Sequence, residues 1–95
     1  MQEIMKIFDI HTIPNRGIVI GGTNPTLDTL SHEEIQNLVG KFVEIHTLKS
    51  AIQTKVIDMG ITIALTGRKN IFLLLPLNFN IDNLDKGSVV YCKLA

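Results

Sequence analysis

Three histidines, one cysteine and a few aspartates carry the reactive chemistry of this chain. A metal site needs several donors that converge in space. His11 and His46 would meet if their strands were neighbours, and His32-Glu33-Glu34 adds oxygen donors. Nothing in the spacing forces convergence, and His32 falls in the first turn of a helix, where solvent is the ordinary surrounding. Neither a metal nor another cofactor is expected. Cys92 with a histidine base would make a nucleophile. Its neighbours Val90 and Leu94 share its strand face and point to the core, and a thiol buried among apolar groups is inert. Asp9, Asp58 and Asp82 read as turn or solvated residues. There is no serine elbow and no Gly-x-x-x-x-Gly-Lys-Ser/Thr phosphate loop. Gly21-Gly22-Thr23-Asn24 lies too far before the helix at Ser31 to cradle a phosphate on it. The expectation is a protein that binds rather than catalyses.

Two sets of side chains suit binding. Arg16, Arg68 and Lys69 all fall in turns. Two such turns at one end of a barrel would form a small positive patch for RNA, a nucleotide or an acidic protein. The plainer reading is charge for solubility. Phe42, Phe72 and Leu74 form the other set. If Val43, Ile45, Leu73 and Leu75 point inward, these three point outward. An exposed apolar patch on a small domain marks an association surface. The competing reading is that the helix covers them.

The elements that must position these residues are short strands between turn signals. Strands are expected at Met5 to His11, Ile18 to Ile20, Lys41 to Thr47, Ile52 to Ile57, Ile61 to Leu65, Ile71 to Leu75 and Ser88 to Leu94. Pro14-Asn15-Arg16-Gly17 reads as a tight turn that makes the first two a hairpin. Gly21-Gly22 reads as a strand end or barrel corner. Asp58-Met59-Gly60 reads as a turn or bulge. One helix is predicted: Ser31 and Glu34 form a capping box, Ile35, Leu38 and Val39 make its apolar face, and Gly40 stops it. The expected fold is all-β, a small Greek-key β-barrel of about six or seven strands with one short helix inserted.

Read together, these pieces resemble the second domain of translational GTPases such as elongation factor Tu. The carrying segments are Phe8-Asp9-Ile10, the turn Pro14-Asn15-Arg16-Gly17, Ile18-Val19-Ile20-Gly21-Gly22, Val39-Gly40-Lys41-Phe42-Val43-Glu44-Ile45, Thr54-Lys55-Val56-Ile57-Asp58-Met59, Asn70-Ile71-Phe72-Leu73-Leu74-Leu75 and Gly87-Ser88-Val89-Val90. They run in the family's order over most of residues 1–95. The chain departs from the pattern at Thr23 to Leu38, at Lys41, at Arg68-Lys69 and at Phe72. The resemblance implies a non-catalytic barrel, and as an alternative role an RNA- or ribosome-associated module. No tRNA-contacting residue carries over, because the loops that would hold one do not match.

Composition sets the outer limits. At 95 residues, 45% hydrophobic and 19% charged, the chain suffices for one domain with its own core. A formal net charge of zero argues against broad phosphate-backbone binding. A single cysteine cannot pair internally, which fits a reducing compartment. The opening residues lack a signal-peptide pattern, and the longest apolar run is far short of a membrane span. The expectation is a cytoplasmic binding module with a protein partner or a second copy of itself, and no membrane role.

Overall fold

The computed structural model describes residues 1–92. It contains seven strands: β1 (Gln2–Ile13), β2 (Gly17–Thr23), β3 (Phe42–His46), β4 (Ala51–Lys55), β5 (Asp58–Ile63), β6 (Lys69–Leu75) and β7 (Val89–Cys92). One helix, α1 (His32–Val39), lies between β2 and β3. All pairings are antiparallel, in one sheet of order β4-β3-β7-β1-β2-β6-β5. The all-β expectation holds in strand number and in the inserted helix. The segment 76–88 carries the chain from β6 back to β7, which inserts between β1 and β3, a return of the Greek-key kind.

The sheet curls without closing. Its two edge strands, β4 and β5, are consecutive in the chain and are joined by Val56-Ile57. Val56 N–H donates to the Lys41 carbonyl (2.8 Å), and Ile57 N–H donates to the Leu74 carbonyl (2.7 Å). The chain thus crosses from one edge of the sheet to the other within two residues. Asp58-Met59-Gly60 opens β5 and is no turn; the direction changes just before it.

β1 belongs to both halves of the sheet. Its first residues pair with β7 and the rest with β2. Register shifts between Glu3 and Met5 and between Ile7 and Asp9 mark two bulges. An extra residue rotates the alternation of side chains. The first bulge lets the consecutive residues Ile4 and Met5 both enter the core, and the second keeps Phe8 and Asp9 both outside so that Ile10 packs against the core. The core gathers Ile4, Met5, Ile7, Ile20, Val43, Ile45, Leu73 and Val90 from the strands, with Ile35 and Val39 from α1. Cys92 is buried among them, as its strand pattern predicts. Leu94, assigned to the same face, lies outside the described residues.

Gly21 and Gly22 sit inside β2 instead of ending it. A Cβ on Gly22 would lie 2.4 Å from the Lys6 carbonyl and 2.9 Å from the Met5 side chain. A Cβ on Gly21 would lie 2.7 Å from the Phe72 ring. The pair lacks side chains because β1 and Phe72 occupy that space. The helix forms as predicted: Ser31 Oγ accepts from Glu34 N–H (3.1 Å), and Glu34 Oε1 accepts from Ser31 N–H (3.1 Å).

These close approaches give a direct test by urea unfolding. Gly22→Ala must displace backbone, so a loss of about 2–3 kcal/mol is expected, the scale of an overpacked core. A Cβ on Gly60 meets nothing within 4 Å, and Gly60→Ala should change stability by less than about 0.5 kcal/mol.

Candidate functional site

A groove of about 220 Å³ runs over the outer face of β2, β6 and β5. Its position follows from register. Val19 on β2, Leu74 on β6 and Asp58 on β5 lie abreast, and the next outward row is Gly21, Phe72 and Gly60. Phe72 therefore has a glycine on each side. Its ring lies over Gly21, and Gly60 leaves the space beyond it open. The missing side chain at Gly60, with the Phe72 ring drawn over Gly21, makes the depression. Val19, Leu74 and Phe72 form its floor, and Ile13 and Met59 contribute apolar walls.

The rim is polar at two points. Arg16 projects from the β1–β2 turn, where its N–H donates to the Ile13 carbonyl (3.1 Å) and Asn15 takes φ 64°. Among the described residues the Arg16 side chain has no hydrogen bond or ion pair, so the guanidinium keeps its donors for a ligand. Asp58 is the second rim residue, and its Oδ1 accepts from Met59 N–H (2.8 Å).

The two predicted binding sets are thus redistributed. Arg16 joins Phe72 and Leu74 in the groove. Arg68 and Lys69 lie at the other end of β6, since Ile18 pairs with Leu75 and Thr23 with Asn70. Six strand steps of roughly 3.3 Å, about 20 Å in all, separate the ends. The three basic residues do not share a patch. Arg68 is exposed, whereas Lys69 is half-buried. Lys69 N–H donates to Asp28 Oδ1 (3.0 Å), and its ammonium donates to the Leu30 carbonyl. Lys69 ties the loop before α1 to β6. Phe42 is 56% exposed on β3, opposite Lys55, and lines no part of the groove. The helix covers none of the three, because its apolar face, Ile35 and Val39, is turned into the core.

The candidate catalytic and metal-binding residues stay apart. β7 lies between β1 and β3, so the strands of His11 and His46 are not neighbours. His11 Nε2 contacts Asp9 Oδ2 at 2.7 Å, and His46 Nε2 contacts Glu44 Oε1 at 2.7 Å. The His46 ring lies 4.5 Å from that of Tyr91. Among the described residues no three His, Cys, Asp or Glu side chains are placed to hold a metal ion. The Gly21-Gly22 segment is strand interior, and Asn24 anchors the loop that follows: its Nδ2 donates to the Glu3 carbonyl (3.0 Å) and its Oδ1 accepts from Thr26 N–H (3.1 Å).

Sequence reasoning missed Ile13, Val19, Met59 and Asp58 as groove residues. The usable signal was the pair of glycines, Gly21 and Gly60, on different strands. Only the register reveals that both flank Phe72.

No protein-family model, curated protein or solved structure matches this chain. Among the described residues no helix is long and apolar enough to cross a membrane.

The different roles of two adjacent basic residues can be separated by mutation. Lys69→Ala removes the tie to Leu30 and should cost about 1 kcal/mol, the worth of a hydrogen bond. Arg68→Ala should stay within about 0.5 kcal/mol. Thermal or urea unfolding of the two variants checks this.

Proposed function

We propose that this chain is a binding module that seats an apolar segment of a protein partner in the groove over Phe72 and Leu74. The observation that carries this reading is the meeting of an apolar floor with one unpartnered guanidinium, Arg16, at the rim. Apolar surface with a few placed polar groups is the usual make-up of a ligand site, the apolar part supplying affinity and the polar part orientation. The segment best suited has one or two apolar side chains beside a carboxylate, because a guanidinium holds a carboxylate through paired hydrogen bonds. Small size and neutral charge fit an adaptor working at close range. The ribosomal or RNA reading draws on the translation-factor resemblance and the all-β fold, but the separation of Arg16 from Arg68 leaves it without a joint basic face.

Selection from a displayed peptide library tests the proposal. Recovered peptides should share an apolar core with a neighbouring Asp or Glu. Arg16→Ala should weaken their binding about tenfold, the loss of one charge-assisted hydrogen bond. Unbiased peptides, or salt-sensitive capture of RNA in their place, would overturn it.

A further inference from the structure

We propose that two copies of this chain pair through β5 in a two-fold antiparallel arrangement. β5 ends the sheet order and is hydrogen-bonded to a strand on one side only. Alternate residues of an antiparallel strand turn both backbone groups to the same neighbour. Ala64 N–H donates to the Arg68 carbonyl at the hairpin end (2.8 Å), so Thr62 and Gly60 face β6. Ile61 and Ile63 turn their N–H and C=O groups outward. The remaining outward N–H, that of Met59, is already accepted by Asp58 Oδ1.

The two edges of the sheet are guarded differently. Natural edges carry charges, prolines or covers that block further pairing. β4 has Lys55 at its end and Gln53 in its middle. The stretch Met59-Gly60-Ile61-Thr62-Ile63-Ala64-Leu65 carries no charge and no proline. Ile63 is 68% exposed and Leu65 is fully exposed. Apolar side chains thus stand beside backbone groups that have no partner among the described residues, an arrangement suited to another β-strand.

The occupant is a second copy because the edge is complementary to itself. With the two-fold axis between the two Thr62 residues, Ile61 of each copy lies opposite Ile63 of the other. The exposed Leu65 at each hairpin tip approaches Met59 of the other copy. Thr62 meets Thr62, a favourable cross-strand pair. The charges that flank the stretch Met59 to Leu65 along the chain, Asp58 and Arg68, are opposite in sign and at opposite ends. Asp58 opens β5, and Arg68 closes the hairpin beyond it. Antiparallel pairing brings Asp58 of each copy to the Arg68 turn of the other. A formal net charge of zero opposes no self-association. The guarded β4 edge stops growth at two.

Sedimentation velocity across rising concentration tests this, together with amide hydrogen exchange. The chain should show a reversible monomer–dimer equilibrium, with the Ile61 and Ile63 amides gaining protection as dimer forms. Ile63→Lys puts a charge on an exposed site and should weaken dimerisation about tenfold, since two symmetric pairs are lost. Arg68→Glu should weaken it too, and Asp58→Lys combined with Arg68→Glu should restore it. Ile63 lines no part of the groove, so Ile63→Lys should leave the binding of selected groove peptides unchanged. A monomer at every concentration, a dimer indifferent to Ile63→Lys, or open-ended assembly would each overturn the pairing while leaving the groove reading standing.

Discussion

The close approach of β1 to β2 at Gly22 is the contact on which the rest of the molecule depends. β1 joins the two halves of the sheet, pairing with β7 on one side and β2 on the other. At Lys6 it leaves one partner for the other, and there its carbonyl comes too near Gly22 for any side chain. Without that approach the halves would not share a strand, and the core side chains Ile4, Met5 and Ile20 would not meet. The adjacent Gly21 extends the same constraint to the outer face, where the Phe72 ring takes the space of a missing side chain. Core and groove are two sides of one pair of glycines.

The loop and helix between β2 and β3 solve a second problem. A curled sheet that does not close leaves core side chains exposed at its opening. α1 supplies Ile35 and Val39 to that core, and Leu27 joins them from the preceding loop. A two-turn helix has little stability of its own. It is held by its capping box at Ser31, by Asn24 reaching the Glu3 carbonyl, and by Lys69 reaching across to Leu30. The segment between β2 and β3 therefore completes the core of this chain. Lys69 shows the same logic, a cation that looks free in a turn yet donates to the Leu30 carbonyl.

The outer surface divides into regions of different character. Over β3 and β7, polar and aromatic side chains engage one another, with His46 contacting both Glu44 and Tyr91. Over β2, β6 and β5 the row of Gly21, Phe72 and Gly60 leaves an apolar depression with Arg16 at its rim. Such apolar, lightly charged surface is what a partner can cover at small desolvation cost.

Much of the architecture was legible from residue order alone. The Pro14 to Gly17 turn, the Ser31–Glu34 box and the alternation of Ile71, Leu73 and Leu75 are local signals, and local backbone preferences and side-chain periodicity set them. The alternation of Ile61, Ile63 and Leu65 marked a strand but not its end: β5 stops at Ile63, and Ile61 packs against the core while Ile63 and Leu65 meet solvent. Which strands are neighbours depends on contacts far apart in the chain. That placed β7 between the two histidine strands, sent Arg16 and Arg68 to opposite ends of β6, and set two glycines beside Phe72. The sequence by itself determined the strands, the helix and the inward-facing residues, since each follows from a few adjacent side chains. The tertiary structure alone decided the groove and the open edge, since both arise from strand order and register, which no short stretch of sequence contains.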